Sequence, residues 1–296
     1  MNSGAFTPDT TRELLDEACE ATGLDTGGAQ LIRMGENAMY RLASGTIMAR
    51  IGRSVSAARK EARVANWLAA HQFPAERLAS VKQPVILDEF AVTFWEFIEE
   101  DEKRPTPEEL GALLFALHKI PEPSDLSLSF FEPMPKIENR LATVGGFLPR
   151  EDVTFLDQRR EELQLEFGHL KFPLGFGPVH GDCHAGNLMR DQTGLVKLID
   201  FEDFCWGPRE WDVCVEAVRY YSFGWVSDED YAEYTSAYGF DPLRWSGFPV
   251  VKAIRELNMT TWLAQQLGQS AEVDEEVHKR ISDLRDSQAP RNWRPF

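Results

Sequence analysis

Cysteine is scarce in this 296-residue chain: Cys19, Cys183, Cys205 and Cys214 are the whole set, with no C-x-x-C pair among them. That excludes a disulfide-stapled scaffold and leaves free thiols as the expectation. His180, Cys183, His184 and Cys205 together raise a zinc reading, but their spacing matches no common finger or ribbon. Positive charge is also in deficit, with 31 Lys and Arg against 48 Asp and Glu, a net charge of −17. Nucleic acids and anionic membranes are recognised by basic surfaces, so neither is expected as a partner. The deficit is compatible with a cationic small substrate, and equally with an acidic surface that keeps the protein soluble. Long apolar runs are missing too, none approaching the roughly 18 residues of a membrane span. The opening residues, MNSGAFTPDTTRELLDEACEATGL, have neither the basic start nor the apolar stretch of an export signal, and a cytoplasmic protein is expected. Internal repeats and low-complexity blocks are absent, and nothing in the pattern speaks to oligomeric state.

What is present suffices for a core: hydrophobic residues make up 43% and aromatics 11%, enough for one large domain or two modest ones. Leu14, Leu15 and Ala18 recur at helical spacing, predicting a helix over 9–22 that stops at Gly23. From 30 to 51 the period changes to two. Ile47, Ala49 and Ile51 alternate with Thr46, Met48 and Arg50, after a turn at ASG. A second helix is predicted over 56–71, and two strands, QPVILDE and AVTFWEFIE, turn near Asp88–Glu89. After Glu99 the character shifts. EEDEKRPTP reads as a linker, and beyond it helices dominate: PEELGALLFALHKI capped by Thr106 with Glu109 in a capping box, EDVTFLDQRREELQLEFGHL, REWDVCVEAVRYYSF, DEDYAEYTSAYG, GFPVVKAIRELNMTTWLAQQLG and a charged helix near 271–286. NLMR-DQTG-LVKLID reads as a hairpin turning at Gly194. The expected plan is α+β, with a small antiparallel-sheet N-terminal lobe over 1–98, a larger mainly helical C-terminal lobe over 99–296, and a ligand cleft between them.

One stretch does not read as a core element. VHGDCHAGNLMRDQTGLVKLIDFED, residues 179–203, sets polar residues at fixed intervals between short apolar runs. Asp182 follows His180 and Gly181, Asn187 comes five residues later, and Asp200 thirteen after that. Phosphoryl transfer to a hydroxyl needs a carboxylate to orient the alcohol and accept its proton, and hard oxygen ligands to hold Mg²⁺ on the phosphates. Asp182 supplies the first, and Asn187 with Asp200 the second. A loop carrying Asp182 and a hairpin with Asn187 at its start and Asp200 at its end would bring the three together.

HGDCHAGN followed by LIDFED resembles the aminoglycoside phosphotransferase and related small-molecule kinase family, which shares its fold with the protein kinases. The resemblance implies a bilobal protein-kinase-like fold, with Asp182 as catalytic base, Asn187 and Asp200 as Mg²⁺ ligands, and His180 bracing the loop. MGENAMYRL is similar to the family's short nucleotide-covering loop, which places Gly35 and Asn37 against the nucleotide. IMARIG falls where the family carries its phosphate-holding base, so Met48 lines the adenine site and Arg50 reaches the phosphates. Arg here replaces the commoner Lys, and its guanidinium can still hold phosphate oxygens bidentately. Glu61 matches the acid that pairs with that base. FWEFIE resembles the hinge, where the backbone of Glu96, Phe97 and Ile98 would bond adenine. GPREWDV resembles the segment in which Asp212 caps a helix and ties down the catalytic loop. Glu202 and Asp203 are candidate contacts to a cationic substrate or a second metal.

The implied activity is an ATP- (or GTP-) and Mg²⁺-dependent phosphotransferase acting on a hydroxyl of a small molecule, an aminoglycoside or other antibiotic. Homoserine-, choline- and sugar-like metabolites are alternative acceptors. A non-catalytic nucleotide-binding protein of the same fold is the contrasting reading, and the presence of Asp182, Asn187 and Asp200 together speaks against it.

Overall fold

The computed structural model describes residues 6–123, 128–286 and 288–296. The chain starts with α1 (Pro8–Thr22), opened by a capping box in which Thr7 accepts from the Thr10 N–H and closed by Gly23 in the left-handed region. Strands β1 (Gln30–Met34), β2 (Ala38–Arg41) and β3 (Ile47–Gly52) follow, then α2 (Val55–Ala70), β4 (Val85–Leu87) and β5 (Phe90–Glu96). These strands form an antiparallel sheet in the order β1-β2-β3-β5-β4. Next come α3 (Pro107–His118), α4 (Ile137–Val144), α5 (Arg150–Gly168) and β6 (Phe176–Val179). A 3-10 turn, Ala185–Asn187, leads into the hairpin of β7 (Leu188–Arg190) and β8 (Val196–Leu198). The chain ends with β9 (Cys205–Pro208), α6 (Glu210–Tyr221), α7 (Asp228–Tyr238), α8 (Phe248–Ala264) and α9 (Ala271–Arg285).

Two compact units account for the chain. The first comprises Met1–Thr106, Ile120–Leu128 and Ala185–Phe204; the second comprises Pro107–Lys119, Ser129–His184 and Cys205–Phe296. The first carries the antiparallel sheet and the second is mainly helical, an α+β chain. No helix of the described residues is long and apolar enough to cross a membrane.

In the sheet unit, the period-2 alternation separates a core face from a polar one. Tyr40, Ala49, Ile51, Val92 and Phe94 point to one side, where Leu15, Ala18 and Cys19 of α1 close a buried cluster. Fully burying Leu15 or Phe94 contributes about 1.5–3 kcal/mol each. The register pairs Met48 with Trp95 and Arg50 with Thr93 on the opposite face, so the strands that build the core also present Met48 and Arg50 away from it. The predicted linker is held in place: Asp101 N–H donates to the Arg190 carbonyl (2.8 Å), and the Arg190 guanidinium donates to the Lys103 carbonyl (3.0 Å).

In the helical unit, α6 is buried nearly all round, including Trp211, Asp212, Val213, Cys214 and Val215. Gly111 of α3 meets α7 so closely that a Cβ there would collide with the Tyr234 carbonyl. Sequence analysis assigns no element to α4, β6 or β9. Helix α4 has Lys136 at its N-cap with no side-chain cap bond, and β6 and β9 are four-residue strands that exist because they pair with each other, Val179 opposite Cys205. All four cysteines are buried free thiols.

Candidate active site

The sheet unit holds every predicted site residue except Asp182. Arg50 Nη1 donates to Glu61 Oε2 at 2.6 Å, and its Nη2 lies 3.5 Å from Glu76 Oε2. The guanidinium also sits over the Trp95 ring, 5.0 Å from its centroid. Strand β3 supplies the arginine, α2 supplies Glu61 on its buried face, and the segment after α2 supplies Glu76. Two carboxylates therefore share one guanidinium. Burial pushes the Glu61 carboxyl up to about 7; Arg50 opposes this, while the charges of Asp200 and Glu76 reinforce it. For Arg50, burial favours loss of the proton, but Glu76, Glu61 and Asp200 outweigh it and hold the guanidinium charged.

Asn187 and Asp200 flank the open end of the β7–β8 hairpin, one adjoining each strand, with Asn187 across from Ile199. Leu188 pairs with Leu198, and Ile199 N–H donates to the Asn187 carbonyl at 3.0 Å. Asp200 is exposed and has a left-handed backbone, φ +69°, a conformation that Asp tolerates better than most residues. One carboxylate and one amide oxygen at adjacent strand ends form a hard, oxygen-only donor set, which suits Mg²⁺ because that ion retains several waters. The residues fit the ion.

The other predicted residues of this unit are spread around the sheet. Gly35 donates its N–H to the Asn37 carbonyl (3.1 Å) inside the β1–β2 turn, and Met48 is half-buried beside Trp95. Glu96 N–H donates to the Arg77 carbonyl and Phe97 N–H to the Thr46 carbonyl, both at 2.8 Å. Of residues 96–98 only Ile98 retains an N–H with no acceptor among the described residues. The Glu202 carbonyl accepts from Lys60 Nζ at 2.6 Å, and Asp203 is exposed.

The helical unit holds Asp182 in the loop after β6. Asp212 fixes that loop: its carboxylate, fully buried, accepts the N–H of His180 (2.7 Å) and of Gly181 (2.8 Å). His118 Nε2 lies 3.2 Å from the same carboxylate, and its Nδ1 lies 2.7 Å from Tyr238 Oη. Asp212 thus ties down the loop but does not cap α6, whose N-cap is Arg209 with no side-chain bond. Its side chain sits in the first turn and turns outward to the loop, where two N–H groups need an acceptor more than the helix end does. Gly181 adopts φ +95°, which glycine alone reaches without strain. Its carbonyl accepts from Trp211 Nε1 at 2.8 Å.

The Asp182 side chain emerges half-exposed, with His184 Nε2 at 3.4 Å and Arg255 Nη1 at 4.0 Å. Burial of the loop would raise its pKa, but the His184 hydrogen bond and the charges of His184, Arg255 and His180 prevail and hold it below the usual carboxylate range. Asp182 is ionised at neutral pH. Arg255, projected from α8, packs its guanidinium 4.2 Å from the Trp211 ring centroid and donates to the Trp211 carbonyl at 2.7 Å. Burial drives the Cys183 thiol well above its ordinary value, so this neighbour of Asp182 is no nucleophile.

Sequence reasoning missed Glu76, His118, Tyr238 and Arg255. His118 lies in LGALLFALHKIP and Arg255 in IRELN, stretches that drew notice without a role for either residue, and each of the four is defined by what it touches. The only available signal was charge at a position otherwise read as core, Arg255 and Glu256 in the middle of the apolar pattern of α8.

The sequence matches the family model described as the phosphotransferase enzyme family (APH) over residues 35–248. A comparison with curated proteins found no match. Among solved structures, an amicoumacin kinase in complex with AMP-PNP, Ca²⁺ and Ami is similar over 97% of both chains, with TM-score 0.74 and 16% identity. A choline/ethanolamine kinase family protein from Mesorhizobium loti is similar over 96% of both chains, with TM-score 0.64 and 18% identity. A spectinomycin phosphotransferase in complex with ADP and spectinomycin is similar over 95% of both chains, with TM-score 0.63 and 15% identity. At these identities the likeness is one of fold. The family match covers both the Arg50–Glu61 pair and the stretch from His180 to Asp200, and the chain belongs to the phosphotransferase enzyme family.

Proposed function

We propose that this protein is a cytoplasmic, ATP- and Mg²⁺-dependent phosphotransferase that phosphorylates a hydroxyl of a small molecule. The observation that carries the reading is the family match, which spans the HGD, Asn187 and Asp200 motif. In this reading residues 1–98 form the nucleotide lobe, and 99–296 carry the catalytic loop and the acceptor pocket. Arg50 holds phosphate oxygens and is kept in place by Glu61. Ile98 offers its free N–H to adenine, beside Met48, while the turn at Gly35 and Asn37 covers the phosphates. Asn187 and Asp200 hold the metal, which when bound neutralises charge on the transferring phosphate.

Asp182 acts at the acceptor. Its carboxylate orients the hydroxyl through a hydrogen bond and takes its proton late, as the bond from the hydroxyl oxygen to the γ-phosphorus of ATP forms and the bond from that phosphorus to the ADP oxygen breaks, releasing ADP. A carboxyl held below the usual range is a weak base, so its contribution is chiefly alignment. His184 and Arg255 keep it ionised and limit its rotation. Glu202 and Asp203 are placed as contacts to a cationic group of the acceptor.

The acceptor classes favoured are antibiotics and amino alcohols, because similarly folded proteins include an amicoumacin kinase, a spectinomycin phosphotransferase and a choline/ethanolamine kinase family protein. The test has two stages. Thermal stability is measured with ATP, with and without Mg²⁺; metal-dependent stabilisation is expected, and indifference to both refutes nucleotide-dependent catalysis. ADP release is then measured against aminoglycosides, other antibiotics, amino alcohols and sugars, and the class that stimulates it identifies the acceptor.

A further inference from the structure

Glu76 lies outside every helix and strand, yet it is among the most constrained acids of the sheet unit. Its N–H donates to the Leu198 carbonyl (2.9 Å), Leu198 N–H donates to the Pro74 carbonyl (3.1 Å), and Ala75 bridges Leu198 in parallel. The segment after α2 is thereby fastened along β8, the strand that leads to Asp200. The carboxylate, 7% exposed, then reaches in two directions. Oε1 accepts the Asp200 N–H at 3.0 Å, and Oε2 faces Arg50 Nη2 at 3.5 Å.

A buried carboxylate is costly unless it is paired and hydrogen-bonded. Here the pairing is to Arg50 and the hydrogen bond is to the backbone of Asp200, a charge-assisted contact to a main-chain donor. Asp200 sits at φ +69°, and a non-glycine residue stays in that region only where its surroundings hold it there. The Glu76 bond is a direct restraint on that conformation. Neither Glu61, which touches Arg50 from α2, nor Asn187, whose carbonyl binds Ile199, restrains the Asp200 N–H.

We infer that Glu76 is a positioning residue for Asp200: one buried carboxylate holds the backbone of the metal-bearing aspartate and the guanidinium on β3 in a single arrangement. The inference rests on the proposed role of Asp200 as metal ligand. Glu76 does not touch the metal. It sets the direction in which the Asp200 carboxylate leaves the hairpin.

The test is Mn²⁺ binding to the full chain, followed by electron paramagnetic resonance with a non-hydrolysable ATP analogue present. Outer partners of metal ligands alter affinity by about tenfold or more when removed, and Glu76→Ala is expected to weaken Mn²⁺ by that factor. Glu76→Gln retains an oxygen that can accept the Asp200 N–H and is expected to recover most of the affinity. The loss of Mn²⁺ affinity in Glu76→Ala is expected to exceed any loss of metal-free nucleotide affinity that follows from its contact with Arg50; equal losses would mean that Glu76 acts through Arg50 alone and would overturn the inference. Where Glu76→Ala does not fold, Glu76→Asp decides: one methylene shorter, it cannot span both partners, and the same loss is expected. Unchanged Mn²⁺ affinity in a folded Ala or Asp variant overturns the role of Glu76 alone. If the wild-type protein itself shows no nucleotide-dependent Mn²⁺ binding, the metal role of Asp200 falls, and this inference with it.

Discussion

Replacing Glu61 by Gln is the most informative single perturbation of the sheet unit. Glu61 is buried beside Arg50, and Glu76 competes for the same guanidinium. Burial and the neighbouring carboxylates lift its pKa from an ordinary 4.5 to about 7, against the pull of Arg50. A carboxyl raised in the folded state binds its proton more tightly there than in the unfolded chain. Its contribution to stability is therefore complete below the unfolded value and is lost as pH rises through the folded one. At about 1.4 kcal/mol per pH unit, the loss between pH 4.5 and pH 7 is about 3 kcal/mol. Glu61→Gln removes the titration while preserving size and a hydrogen-bond acceptor. For a chain of this length about 3 kcal/mol corresponds to roughly 6 °C of melting temperature. Thermal unfolding of both proteins at pH 5 and pH 8, a window that holds about 2.5 kcal/mol of this loss, should show the wild type losing roughly 5 °C more than the variant on going alkaline. Groups away from this cluster titrate alike in the two, so the difference reads Glu61 together with the charges of Arg50, Asp200 and Glu76 that act on it. Parallel pH dependence of the two melting temperatures would refute the reasoning, because it would mean that Arg50 fully compensates the buried charge.

Three further outcomes are expected. Asp182→Asn should lower kcat about a hundredfold or more with little change in the KM for ATP; equal loss in both would place Asp182 in nucleotide binding instead. Arg255→Met removes a cation that lies 4.0 Å from Asp182, so the Asp182 pKa rises and the acid limb of the pH–rate profile moves to higher pH; an unmoved limb would refute the coupling. Asp212→Ala strips the acceptor from the N–H groups of His180 and Gly181. Each buried donor left unpaired costs about 1–3 kcal/mol, so the melting temperature should fall and kcat with it, while unchanged stability would mean that water replaces the carboxylate.

Local patterns carried much of the fold. The period-2 alternation over Ile47–Ile51 marks which residues reach the α1 core and which, Met48 and Arg50 among them, face away, because side-chain direction in a strand follows from sequence parity alone. Helices α1, α2, α6 and α8 announce themselves through apolar spacing, and the family to which the chain belongs was legible in the resemblance carried by HGDCHAGN and LIDFED. The Arg50–Glu61 ion pair was also within reach, since each residue occupies a position that the family resemblance marks. Strands β6 and β9 were not, because a four-residue strand has no signal until its partner, 26 positions or more away in sequence, lies beside it. The same reason hid the polar partners. Nothing near Glu76 says that its carboxylate spans Arg50 and Asp200, and nothing near Arg255 says that it underlies Asp182. The residues proposed for the chemistry stand out along the chain, where spacing and alternation act over a few residues. Which buried charges hold them in place was decided only by folding, because an ion pair is defined by distance in space, and burial alone makes that distance matter.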